Sequence, residues 1–395
     1  MLVACLFTSS NFQMPARDDR YFGVDLESLG DLDGDGRAEF VVAAANAGCA
    51  VYACSGEDGR VLEGFLPQRG VPSFSWNNLV AGDDYDGDGK PDFVVSLRGE
   101  RDASDVVGYS PSRRRILFET SLPGNERWQI ADLQRVDDLT RDGVPDVLVN
   151  GWRGEEYRTH AMLISGRSGQ VVEMHDDCLW FDAGDRTGDG VPELFMSWRD
   201  EGPNPRVLFD GATRDVIETS IAGKLLGDVD CNGTLDYLAW SLDAVGRHDD
   251  WVFEFNAQSE VGITLWKTRR ALGWSGTIRC DVTTLSSLRR DGSRDFVLGL
   301  SGTLFSEMLR YSGATGEILW RITGPDELGG HGYFGSVVAT SPDLNGDGHE
   351  DILVGTAAWR VPWVTRIFAL CGATGAVLST TRSEVELARE SPVGR

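Results

Sequence analysis

The feature that most limits what this chain can become is a nine-residue pattern that returns seven times, always with glycine at position six and an acidic residue at position nine. The copies start at Asp31, Asp84, Asp138, Asp185, Asp228, Ser287 and Asp343, with spacings of 53, 54, 47, 43, 59 and 56 residues between successive starts. Each copy runs into a short, unbroken apolar stretch, such as Phe40-Val41-Val42, Phe93-Val94-Val95 or Ile352-Leu353-Val354. Unbroken runs of this length, rather than alternating ones, mark strands covered on both faces. Further along, a glycine turn joins two more strands, as at Ser55-Gly56, Ser165-Gly166, Ser312-Gly313 and Cys371-Gly372. No amphipathic helical stretch of useful length intervenes.

Each unit therefore reads as strand, acidic loop, strand, strand, glycine turn, strand. Four strands in about fifty residues make one propeller blade. A blade cannot bury both faces alone, so seven in series must stack, and a ring leaves only short, protected edges. The expected fold is all-β: a seven-bladed β-propeller of four-stranded antiparallel blades over residues 21–381. Residues 1–20 are expected to lie outside the regular units or to add a closing strand, and residues 382–395 to form a polar tail.

The acidic loops have the chemistry of a calcium site. Calcium takes about six to eight hard oxygen ligands, and acceptors at positions one, three, five and nine let alternate side chains converge on one ion. A carbonyl at position seven completes the set, and glycine at six permits the sharp turn. An EF-hand is excluded, because its bidentate glutamate at position twelve would fall on Val42 in the first copy. Repeats one and two have complete sets, Asp31, Asp33, Asp35, Glu39 and Asp84, Asp86, Asp88, Asp92. Repeats five and seven keep four acceptors each, Asp228, Asp230, Asn232, Asp236 and Asp343, Asn345, Asp347, Asp351. Repeats three and four place threonine at position three, giving Asp138, Thr140, Asp142, Asp146 and Asp185, Thr187, Asp189, Glu193. Repeat six has Arg289 at position three, which repels a cation, and is expected to hold none. The expectation is several structural calcium ions, about four to six.

Tyr21-Phe22-Gly23 and Tyr333-Phe334-Gly335 precede two of these loops. With the loops, they resemble the FG-GAP repeats of integrin α-subunit propellers and of related bacterial repeat proteins. The resemblance covers roughly residues 21–381, and the calcium loop is its specific part; five units lack the Phe-Gly opening and none ends in Gly-Ala-Pro. It implies a calcium-loaded propeller whose face opposite the ion loops receives a ligand.

Net charge is −25, from 62 acidic and 37 basic residues, which disfavours nucleic acid or an anionic membrane as partner. No stretch approaches the roughly 18 apolar residues that span a bilayer. Sites of this kind suit compartments with millimolar calcium, so an extracellular, cell-surface or periplasmic location is expected, although residues 1–7 do not read as an export signal. Seven scattered cysteines without a Cys-x-x-Cys pair give no zinc or dithiol motif. Five scattered histidines and no nucleophile elbow, metallohydrolase or phosphate-loop motif point to no catalytic residue and to a binder rather than an enzyme.

The ligand face is read from aromatic and basic residues that follow the second strand of several units: Trp152-Arg153, Trp198-Arg199, Trp240 and Trp359-Arg360. In a four-stranded meander these leave the face opposite the acidic loops and glycine turns. The reading is a non-enzymatic binding or adhesion module for a protein or glycan. The alternative is a calcium-dependent lectin, resembling fungal seven-bladed lectins, and after it a polysaccharide-lyase type of propeller enzyme.

Overall fold

The computed structural model describes residues 22–44, 51–57, 59–65, 71–72, 78–98, 104–122, 128–153, 158–198, 206–220, 224–232, 236–244, 251–259, 264–273, 278–288, 292–302, 306–324, 334–356 and 366–382. Among them every regular element is a β-strand, and no helix is long and apolar enough to cross a membrane. The first blade shows the plan: Phe22–Gly30, Glu39–Ala44, Val51–Cys54 and Val61–Phe65 pair antiparallel in chain order. Five more sheets repeat that order. The second blade departs from it, because its innermost strand is split into Val71–Pro72 and Leu79–Asp83, both paired to Asp92–Arg98. Proline lacks the N–H that a continuous ladder would use, which suits Pro72 to the end of such a piece. The N-terminal segment 1–20 and the tail lie outside the described residues, apart from Arg382, which ends the last strand.

The second strand of each unit carries the apolar run and is covered on both faces, as expected. Glu39–Ala44 and Asp351–Thr356 are buried at every position. The cores lie between blades. Leu29, Val41 and Phe65 of the first blade pack on Leu79, Phe93 and Tyr109 of the second. Leu26, Val42 and Tyr52 pack on Val337, Leu353 and Ile367 of the seventh. Comparable clusters join each remaining pair of neighbours, so packing runs from each sheet to the next and from the last back to the first.

Polar staples reinforce these seams. Asp25, on the innermost strand of blade one, accepts the N–H groups of Asn78 at 2.5 Å and Leu79 at 3.0 Å in blade two. Burial pushes its carboxyl up to about 8 despite these bonds. Asp281 in blade six likewise accepts Val338 N–H of blade seven at 2.8 Å.

The glycine turn meets the acidic loop at closest range. A Cβ on Gly56, Gly166 or Gly372 would lie 2.0, 2.0 or 1.9 Å from the carbonyl oxygen of Ala38, Pro145 or Glu350, each position eight of its own blade's loop. Only glycine lets the two hairpin ends stack this way. The acidic loops and glycine turns therefore share one face of the ring.

Candidate metal-binding loops

Position one organises each loop. Asp31 accepts Gly34 N–H at 2.5 Å and Gly36 N–H at 3.1 Å. Asp84 accepts Gly87, Asp88 and Gly89, and Asp343 accepts Gly346, Asp347 and Gly348. These local bonds explain the aspartate and turn the chain back on itself. Glycine at position six is left-handed, as at Gly36 (φ +86°), Gly89 (φ +79°) and Gly348 (φ +84°). Position four is left-handed as well: it is glycine in four loops but Arg141 (φ 58°) in the third and Cys231 (φ 66°) in the fifth.

Position nine is a different kind of residue. It opens the second strand and is fully or almost fully buried in all seven repeats, at Glu39, Asp92, Asp146, Glu193, Asp236, Asp295 and Asp351. One of its oxygens usually ties down the loop by accepting the N–H of position two: Leu32 at 2.6 Å, Tyr85 at 2.9 Å, Val229 at 2.8 Å and Leu344 at 2.7 Å. The other oxygen separates the repeats. In repeats one, two and five, Glu39 Oε1, Asp92 Oδ1 and Asp236 Oδ1 are buried and accept no hydrogen bond of normal geometry. The Gly56 N–H, the Ser110 hydroxyl and the Asp230 N–H are still near enough to these carboxylates to act on them electrostatically. In repeats three and four the threonine of position three fills that place, with Thr140 Oγ1 donating to Asp146 and Thr187 Oγ1 to Glu193, each at 3.2 Å. In repeat seven Gly372 N–H does so at 3.0 Å.

Burial is the first cause of the electrostatics here and neighbouring carboxylates add to it. Asp92 is pushed up to about 7, with Asp86 and Asp88 contributing. Asp236 is raised to about 6, with Asp230 and Asp228 contributing, and Asp146 to about 6, with Asp142. Glu39 and Asp351 shift in the same direction. Carboxylate oxygens of Asp31, Asp33 and Glu39 lie within 4.8 Å of one another; so do those of Asp84, Asp86 and Asp92, of Asp138, Asp142 and Asp146, and of Asp185, Asp189 and Glu193. Three carboxylates of each sequence-derived set in repeats one to four thus converge. In repeat seven Asp347 and Asp351 converge with the Cys371 thiol. In repeat five Asn232 donates to Asp230 at 3.0 Å, and residues 233–235 lie outside the described residues.

The outer turn supplies contacts that were not read from the sequence. Its first residue reaches position five: Ser165 Oγ donates to Asp142 at 2.9 Å, and Cys371 Sγ to Asp347 at 3.1 Å. The recurring Ser-Gly was the available signal. In blade two the turn is Ser110-Pro111-Ser112-Arg113-Arg114-Arg115. Arg113 there pairs with Asp86 at 2.9 Å and Asp88 at 3.1 Å, and Arg115 with Asp86 at 3.2 Å. A loop that is complete by acid count is therefore already partly neutralised.

The opposite face is less uniform than the sequence suggested. The second strands run past the apolar triplets: Trp152 and Arg153 are paired to both neighbouring strands, Trp198 only to the first strand of its blade and Trp240 only to the third. The three tryptophans stand six, five and four residues beyond Asp146, Glu193 and Asp236, so they are not at one equivalent position. Trp152 is half-buried, and the Arg153 guanidinium lies 5.7 Å from the ring centre of Trp128, which is itself buried. The side chains of Trp198 and Trp240, and all of Arg199, Trp359 and Arg360, lie outside the described residues.

Two repeat-family patterns match the chain: an FG-GAP-like repeat over residues 31–95 and an FG-GAP repeat over residues 334–366. The chain carries FG-GAP repeats in these two segments. The matched segments hold the first two acidic loops and the seventh, and the second begins at Phe334-Gly335. No curated protein matches the sequence. Among solved structures, the crystal structure of BBS1N in complex with ARL6DN, soaked with lead, superposes with a TM-score of 0.50 at 11% identity, covering 86% of this chain and 92% of that chain. The Saccharomyces cerevisiae Sqt1 structure gives 0.46 at 8% identity, covering 91% and 85%. The first of these is a likeness of fold.

Proposed function

We propose that this FG-GAP propeller is a calcium-stabilised, non-enzymatic binding module. The observation that carries the reading is the second oxygen of position nine. In repeats one, two and five it is buried without a hydrogen-bond partner, beside other carboxylates of the same loop. An unpaired buried acceptor is costly, and a buried charge is normally paired or bound to metal. Turn hydrogen bonds alone account for position one but leave position nine unsatisfied in repeats one, two and five. Side chains at positions one, three, five and nine would hold the ion, which would supply the positive charge that these hairpins lack. Hard oxygen donors of this kind select calcium or magnesium over softer metals. Repeats three and four, where threonine already satisfies position nine, are the weaker sites under this reading.

The ligand is proposed to be a protein or a glycan, received on the face opposite the loops, in a calcium-rich setting outside the cytoplasm. The FG-GAP propeller fold supports a protein-binding role in general terms, and the similar solved chain was crystallised in complex with ARL6DN. Tryptophan and arginine favour such contacts because they join large area to cationic or polar specificity. The test is a protein-ligand and glycan-array screen with calcium and with chelator, repeated on W198A/W359A. Loss of binding with an unchanged melting midpoint supports the reading. A double variant that unfolds makes these tryptophans packing residues, and glycan binding without protein binding selects the lectin alternative.

A further inference from the structure

We infer that Arg310 is the cation of the sixth repeat, a guanidinium built into the fold where the other loops are shaped for a divalent ion. The inference rests on the reading of the acidic loops as ion sites. Asp295, position nine of that repeat, is as buried as its counterparts and meets the same need for a positive charge. Arg310 meets it directly. Its Nε and Nη2 donate to Asp295 Oδ2 at 3.0 and 2.6 Å, and its side chain is only 12% exposed. A fork of this kind gives a carboxylate both charge and directed N–H groups.

The position is peculiar to this blade. Arg310 lies on the third strand, two residues before the outer turn. The corresponding residues elsewhere are Ala53, Gly108, Leu163, Leu208, Ala257 and Ala369, none of which can carry charge. A divalent ion at Asp295 would face this fixed charge at close range; position three of the sequence pattern is Arg289, which lies outside the described residues. The sixth loop therefore does not fit an ion, and its departure from the acidic pattern is a replacement rather than a loss.

The guanidinium also acts across the seam to blade seven. Arg310 Nη1 donates to the Gly372 carbonyl at 2.5 Å, and Trp320 Nε1 donates to the same oxygen at 2.9 Å. The N–H of Gly372 in turn donates to Asp351, position nine of the seventh loop. One residue thus links the built-in cation to the neighbouring ion loop, and the seam between blades six and seven is held without calcium.

The test uses the full chain and two variants, R310Q and R289D/R310Q, with melting curves in chelator and in millimolar calcium and native mass spectrometry to count bound ions. R310Q should lower the midpoint in chelator by about 5 °C, the effect of breaking a buried pair in a chain of this size. Calcium should not restore that difference. R289D/R310Q should bind one ion more than the wild type and regain stability in calcium only. An unchanged midpoint for R310Q in chelator, or a folded double variant with no additional ion, overturns the inference. If R310Q does not fold, calcium-dependent folding of the double variant supports it, and failure of the double variant in both conditions overturns it. A wild-type chain that binds no calcium refutes the ion reading instead, while the chelator arm still reads Arg310 alone.

Discussion

Replacing Asp92 by asparagine should stabilise the ion-free protein and weaken its response to calcium. Asp92 is fully buried, with Oδ2 held by Tyr85 N–H and Oδ1 without a partner. Its proton affinity rises from an ordinary 3.8 to about 7, with burial as the first cause. At about 1.4 kcal/mol per tenfold change, ionising this group in the ion-free fold costs about 4 kcal/mol. The sign follows from linkage. A carboxyl raised on folding contributes its stability when protonated and loses it as pH rises from about 4 through about 7. At pH 8 the wild type in chelator bears the whole cost. Asparagine bears none, but leaves an amide N–H unpaired at about 1–2 kcal/mol. The net gain is about 2–3 kcal/mol, or roughly 3 °C in midpoint for a chain of this length. Melting curves of both proteins in chelator at pH 5 and pH 8, and in calcium at pH 8, provide the assay. The advantage of D92N should shrink at pH 5 and reverse in calcium, where a ligand is missing. A lower midpoint for D92N in chelator at pH 8 would refute the reasoning, because the ionised carboxylate would then be satisfied without a cation.

Arg113→Ala should tighten calcium binding at the second loop about two- to fivefold, as measured by calorimetry, since pairs with one partner in solvent, such as Arg113 with Asp86 and Asp88, are worth about 0.2–1 kcal/mol. Gly166→Ala should cost roughly 3 kcal/mol in denaturant unfolding, because its Cβ would meet the Pro145 carbonyl oxygen at 2.0 Å and the backbone must shift. Arg141→Gly should leave the third loop intact and raise stability by up to about 1 kcal/mol, by relieving a left-handed non-glycine residue.

The fold was legible because one physical pattern recurs: an acidic turn, then an apolar run covered on both sides. Position nine marks each second strand, and a Ser-Gly or Cys-Gly turn marks the outer hairpin of four units. Sequence did not reveal what depends on the third dimension. Arg310 reads as an ordinary strand residue until the fold places it on Asp295, although a lone charge among Ala53, Gly108, Leu163, Leu208, Ala257 and Ala369 was a usable signal. Nothing in the pattern singles out Arg113-Arg114-Arg115, yet two of these arginines reach the second loop. Threonine at position three reads only as one carboxylate fewer in the loop, whereas Thr140 and Thr187 satisfy position nine. The tryptophans were grouped by their nearness to strand exits, and strand length, which apolar triplets do not define, undoes that equivalence.

The central claim is that buried position-nine carboxylates await a divalent cation. Native mass spectrometry of the chelated and then calcium-equilibrated chain at neutral pH, read beside its melting midpoint, tests it most directly. About four to six calcium ions per chain are expected. At free calcium about tenfold above Kd, each occupied site should add about 1.4 kcal/mol. A chain that takes up no ions and melts at the same temperature in calcium and in chelator would contradict the claim.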